Sequence, residues 1–169
     1  MEHWDLYTDE FINTHNTILS SEEIPNGYYH IALELWIVND QHEVLLLKNT
    51  LDYSKRYPGS WCCIGGNLCT GETKDEAVRR IVQEKIGISI NLSNIYMFSP
   101  VKRDPYKYAY ITYIIFDNID LNTINFKDNN SLEAKFVNKK ELQNMCNNGE
   151  IAYYLISRIN NQVMEYLDE

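Results

Sequence analysis

The chain has 169 residues, 44% of them hydrophobic and 23% charged, and carries a formal net charge of −9. That length and balance fit one soluble globular domain able to bury a core of its own. The negative field excludes bulk nucleic acid and membrane surfaces as expected partners, whereas a small phosphorylated molecule stays admissible because a local basic cluster or a bound cation reverses the field inside a cleft.

Four cysteines, Cys62, Cys63, Cys69 and Cys146, lack CxxC spacing and paired histidines, which reads as reduced thiols rather than a zinc site. The start, Met-Glu-His-Trp-Asp, has no basic or apolar leader, and no apolar run approaches the length of a membrane span. The expected location is cytoplasmic.

No repeat or linker divides the chain, so a single domain over residues 1–169 is expected. Residues 1–27 read as an N-terminal extension that packs on it through Trp4, Leu6, Tyr7 and Phe11. Tyr28 to Val38, rich in aromatic and β-branched residues, predicts a long strand. Asn39 to His42 is a turn, and Glu43 to Lys48 is expected as its hairpin partner. A second turn at Tyr57-Pro58-Gly59-Ser60 leads into the short apolar stretch Trp61 to Ile64.

Thr73 to Ile86 has helical spacing, with Val78, Val82 and Ile86 as a core stripe and Gly87 as the stop. Strands are expected over Ile95 to Val101 and Tyr108 to Phe116, and an Asn/Asp-rich loop over residues 117–132. A short strand at Lys135 to Asn138 and two helical patterns over Lys139 to Leu167 complete the chain. Strands mixed with a central and a C-terminal helix give the α/β class.

The chemistry-bearing stretch is Gly66 to Ile88, a Gly-rich loop running into an acidic helix. Gly66, Glu72, Arg80, Glu84, Gly87 and Ile88 stand in register with G-x5-E-x7-R-E-U-x-E-E-x-G-U, where U is a bulky aliphatic residue. In this the segment resembles the Nudix box. The resemblance implies a Nudix-type α/β/α sandwich with a mixed sheet. It also implies a hydrolase that splits a small diphosphate-linked substrate, of the nucleoside diphosphate-X type, with Mg²⁺ or Mn²⁺.

Carried over residue by residue, the resemblance makes Glu84 and Glu72 metal ligands. Glu84 and Arg80 become the catalytic pair, Arg80 orienting a carboxylate. Gly65 and Gly66 become the turn where backbone approaches phosphate. Ile81 and Lys85 depart from the pattern, for both stand at glutamate positions. The exchange shifts the local formal charge by about +3, which weakens a cation site. Lys85 is then a candidate phosphate contact, and Glu84 paired with Arg80 at i, i+4 is the competing structural reading.

Downstream, Asn130 stands where many relatives carry a further glutamate, and Glu133 keeps a second acidic position. Two readings therefore remain open: a metal-dependent hydrolase working with a reduced carboxylate set, and a catalytically inactive module that binds a nucleotide or a protein partner. Family members often pair as dimers, so a homodimer is among the expected states.

Trp4 to Tyr7, Tyr28-Tyr29-His30, Trp36 to Asn39 and Tyr57 to Trp61 resemble the branch similar to isopentenyl-diphosphate isomerases. That branch places a cysteine beside a Gly-His pair. Ile64-Gly65-Gly66 fills the place here, so isomerase activity is not expected. His30 reads as a packed strand histidine. Lys102, Arg103 and Lys107 read as a solvated turn, with phosphate contact as the alternative.

Overall fold

The two long apolar runs of the chain form the centre of the sheet. In the computed structural model, which describes residues 1–168, the strands are β1 (His3–Tyr7), β2 (Asn13–Leu19), β3 (His30–Val38), β4 (Val44–Asn49), β5 (Trp61–Cys62), β6 (Ile64–Asn67), β7 (Ile95–Met97), β8 (Val101–Arg103), β9 (Tyr108–Phe116) and β10 (Ser131–Val137). β3 and β9 run parallel in unbroken register from His30–Tyr108 to Val38–Phe116, and the other strand-to-strand ladders among the described residues are antiparallel. The main path is β10-β4-β3-β9-β7, while β1 and β2 form a separate hairpin bridged to the sheet at Tyr7–Tyr29.

Side-chain alternation sorts β3 and β9 into two faces. Ile31, Leu33, Leu35, Ile37, Ile111 and Ile115 join Val78, Ile81, Val82 and Ile86 of the helix α1 (Lys74–Ile86) in one core. Trp36, Val38 and Ile114 face Leu142 and Met145 of α2 (Lys139–Asn147), together with Leu155, Ile159 and Val163. Burial on both faces is why these strands read as continuous apolar runs. The result is the expected α/β/α sandwich around a mixed sheet.

The structure corrects the predicted β3–β4 hairpin. Those strands share only the pair Val38–Val44 before they splay, and residues 61–67 wedge between them. β6 lies along β3 from Leu35–Ile64 to Ala32–Asn67, and β5 pairs with β4 at Leu47–Cys62 and Lys48–Trp61. The fork brings the Gly-rich segment to the centre of the sheet, directly beneath α1.

Smaller differences follow from tertiary pairing. The strand expected over Ile95 to Val101 is two short pieces on the outer side of β9. β10 starts at Ser131 rather than Lys135 because β4 supplies partners for its whole length. The last helical pattern is a run of short 3-10, α and π turns from Tyr153 to Tyr166 rather than one regular helix.

Candidate functional site

Local sequence places α1 firmly at the mouth of the fork. Thr73 Oγ1 accepts from the Glu76 amide at 3.2 Å while Glu76 returns a carboxylate to the Thr73 amide at 2.9 Å, a reciprocal cap. At the other end Gly87 takes the left-handed conformation, φ 69°, and its amide reaches the Gln83 carbonyl.

Arg80 organises the loop and the helix. Its Nε and Nη2 both donate to Glu72, the latter at 3.0 Å, and its Nη1 donates to Glu84 at 3.2 Å. Nη2 also reaches the Asn67 carbonyl at 2.7 Å. Glu72 accepts in addition from the Cys69 amide at 2.9 Å. The hydrogen bonds from Arg80 hold the Glu72 carboxyl below the ordinary range, and Glu72 in turn raises Arg80. Glu72, Arg80 and Glu84 border an open cleft of about 400 Å³, completed by Met1, Glu2, His3, Cys69 and Thr70.

The remaining candidates lie elsewhere or do other work. Ile81 is 1% exposed and packs on Gly66, so the position that would carry a helix glutamate points into the core. A β-carbon on Gly66 would meet Ile81, whereas one on Gly65 would make only an ordinary 3.5 Å contact with the Leu33 carbonyl. Lys85 pairs with Asp128 at 2.8 Å. Burial pushes the Asp128 carboxyl up, and the Lys85 ammonium with the Asn130 amide more than offsets it, leaving it below its usual range. Asn130 accepts from the Thr50 amide, and Glu133 is exposed on β10.

Ile81, Glu84 and Lys85 therefore do not form one polar face. Ile81 is interior, the Glu84 side chain is 59% exposed, and Lys85 is tied to the loop before β10. Among the described residues no three His, Cys, Asp or Glu side chains are grouped to hold a metal ion. Asp128, Asn67 and Glu2 escape sequence reasoning. Asp128 lies 43 residues from Lys85 and Glu2 65 residues from Asn67, and no spacing rule links these pairs.

His30 is packed on β3, its ring stacked on Trp4 at 3.9 Å. Burial lowers its pKa to about 4, against a small opposing pull from Glu2. Lys107 is held by Glu23 and the Ile24 carbonyl, and Lys102 and Arg103 lie over the rings of Tyr29 and Tyr106.

A model of the NUDIX domain matches residues 28–156. An uncharacterized Nudix hydrolase of Listeria monocytogenes is 29% identical over 168 residues, covering 95% of each chain. Among solved structures, the DR0079 protein of Deinococcus radiodurans superposes with a TM-score of 0.69 at 18% identity, over 89% of this chain and 92% of its own. The NUDIX domain of Shewanella oneidensis NrtR, solved with ADP ribose, superposes with a TM-score of 0.58 at 15% identity, over 82% and 85%. The NUDIX match spans well over half of the chain and includes the Gly-rich loop and α1 that carry Glu72, Arg80 and Glu84, and the chain belongs to the Nudix hydrolase family.

Proposed function

We propose that the chain, acting as one domain, hydrolyses a small diphosphate-linked substrate of the nucleoside diphosphate-X type with the help of Mg²⁺ or Mn²⁺. The observation that carries this reading is Arg80 joining Glu72 to Glu84 at the wall of the 400 Å³ cleft. The ADP ribose bound by the Shewanella oneidensis domain supports the nucleotide class.

The donor set fits one cation rather than a protein-built cage. Both Glu72 oxygens are committed to Arg80 and the Cys69 amide, and Ile81 offers none. Glu84 is the exposed carboxylate, and Mg²⁺ is commonly held by one or two carboxylates together with substrate phosphates. The chemistry such a cation supplies is neutralisation of phosphate charge and acidification of water. Arg80 orients Glu84 toward the cleft, and Glu72 stays ionised through Arg80. Burial and the nearby Glu2 keep the Cys69 thiol above its ordinary pKa, so it stays protonated rather than acting as a nucleophile.

A second reading, a module that binds nucleotide or a protein partner without metal, is favoured by Ile81 and Lys85 at the carboxylate positions. Lys85 must then leave Asp128 to meet a phosphate.

The test is phosphate or nucleoside release from a panel of nucleoside diphosphate-linked compounds with Mg²⁺ and with Mn²⁺, run beside Glu84→Gln. Metal-dependent turnover abolished by the substitution is expected. No turnover above the variant from folded protein, with nucleotide binding in EDTA that Lys85→Glu weakens, replaces the first reading by the second.

A further inference from the structure

We infer that the N-terminal segment leading into strand β1 is a working wall of the box cleft and that Glu2 is a positioning residue for Arg80 and Glu84, acting through Asn67. As far as it concerns turnover, the inference rests on the hydrolase reading above.

A chain of three hydrogen bonds carries it. Glu2 Oε2 accepts from the Asn67 side-chain Nδ2 at 3.1 Å, the backbone carbonyl of Asn67 accepts from Arg80 Nη2 at 2.7 Å, and Arg80 Nη1 donates to Glu84 at 3.2 Å. A backbone bond from the Thr70 amide to the His3 carbonyl, 2.8 Å, fixes the same loop to the same strand. Residues 67–70 are thus gripped at two points, by the Glu2 side chain just before β1 and by the backbone of His3 at its start.

Glu2 is itself held in place. Trp4 Nε1 donates to the same Oε2 at 2.8 Å, and the Trp4 ring lies flat on His30, with 10° between the planes. His30 opens the central strand β3, so the Glu2 carboxylate is referenced to the sheet itself. The electrostatics place Glu2 at the same spot, for it is the foremost of three carboxylates acting on the Cys69 thiol, ahead of Glu72 and Glu84.

The arrangement answers a deficit in the box. With Ile81 buried and Lys85 bound to Asp128, the direction of Glu84 depends on how the Arg80 guanidinium is held. A guanidinium is planar, and its partners set its plane. Asn67 is one of them, and Glu2 holds Asn67. β1 lies outside residues 28–156, the segment that the NUDIX model describes. The contribution therefore comes from the N-terminal segment, outside the matched NUDIX domain.

The experiment compares full-length wild type with Glu2→Ala, Glu2→Gln and Asp5→Ala. Asp5→Ala removes the hairpin bond to Asn13 and touches nothing in the cleft, so it reports general loosening of the hairpin. Two readouts are taken: the Arg80 Nε–Hε NMR resonance, assigned with Arg80→Lys, and kcat and KM on the compound that wild type turns over.

For Glu2→Ala the expected result is a displaced Arg80 resonance and a kcat about tenfold lower with KM within about twofold, as for a misplaced catalytic group. Glu2→Gln, which keeps an acceptor oxygen, recovers most of both, and Asp5→Ala changes neither at a comparable loss in Tm. An Arg80 resonance unmoved in Glu2→Ala, or moved equally in Asp5→Ala, overturns the inference. A wild type without turnover removes the hydrolase reading alone, and the resonance then decides the positioning claim by itself.

Discussion

Gly66 and Ile81 occupy one another's space: a β-carbon on Gly66 would lie 2.7 Å from Ile81 Cγ1 and 2.9 Å from its Cδ1. The glycine that the box suggests for phosphate approach is here a packing glycine, and the helix position that would hold a carboxylate is the side chain packed on it. Closeness of α1 to β6 and loss of the helix glutamate are one structural fact.

Gly66→Ala is therefore expected to destabilise the fold by about 1–3 kcal/mol, the range for an overpacked core. Ile81→Val in the Gly66→Ala background should recover part of that loss, while alone it loses about 0.5–1.5 kcal/mol. A urea double-mutant cycle measures the coupling, and simple additivity would show that the two residues do not share the space. Ile81→Glu, by contrast, does not rebuild the box, because it buries a charge in this apolar contact and should cost several kcal/mol.

Lys85 and Asp128 carry the second prediction. Lys85→Glu puts a carboxylate beside another and should remove about 1 kcal/mol, since the pair is partly exposed. The same change returns the family's acidic residue to the helix one position after Glu84. Thermal unfolding with and without Mn²⁺ checks it: the rise in Tm on adding Mn²⁺ should be larger for Lys85→Glu than for wild type, by linkage to binding. Equal shifts would show that position 85 is too far from the cleft to share a cation with Glu84.

How much of this was legible in the sequence depended on the range of each interaction. Tyr108 to Phe116 was readable end to end because both its faces are buried and its neighbour β3 matches it residue for residue. Helix α1 was readable because Thr73, Glu76 and Gly87 signal its ends locally. Glu72, Arg80 and Glu84 were legible as a group through the resemblance to the Nudix box, and the structure brings them together.

The fork between β3 and β4 was not legible, since the partner of Leu33 is Gly66, chosen by the sheet and not by the Asn39 to His42 turn. The burial of Ile81 was equally hidden. On a helix residues 81, 84 and 85 share an arc of about 100°, and only the position of β6 determines which edge of that arc is interior.

His30 makes stability pH-dependent. Its pKa is about 4 when folded and near 6.5 when the chain is open, so the unfolded chain takes up a proton first as pH falls. The contribution is fully present above about pH 6.5 and is lost on acidification toward pH 4, up to about 3 kcal/mol. Urea unfolding across that window should show the slope, and His30→Gln should flatten it. A slope unchanged in the variant would assign the effect to other groups.

The pair Glu34–Arg158 gives the last prediction. Arg158, 1% exposed, donates from Nε to Glu34 at 3.1 Å and from Nη1 to the Tyr154 carbonyl, and lies 3.8 Å over the Tyr110 ring. It fastens the C-terminal turns to β3. Burial raises the Glu34 carboxyl above its usual range against the opposing pull of Arg158. Removing the cation with Arg158→Met leaves a carboxylate buried without its partner, which should cost about 3–5 kcal/mol at neutral pH. The sign with pH is opposite to that of His30. A carboxyl raised further in the folded variant is stabilising while protonated, and that benefit is lost as pH rises through its folded pKa. The difference between Arg158→Met and wild type should therefore shrink at pH 5 relative to pH 8, and Glu34→Gln added to Arg158→Met should remove most of its pH dependence. A difference constant with pH would mean that Arg158 acts through packing on Tyr110 rather than through charge.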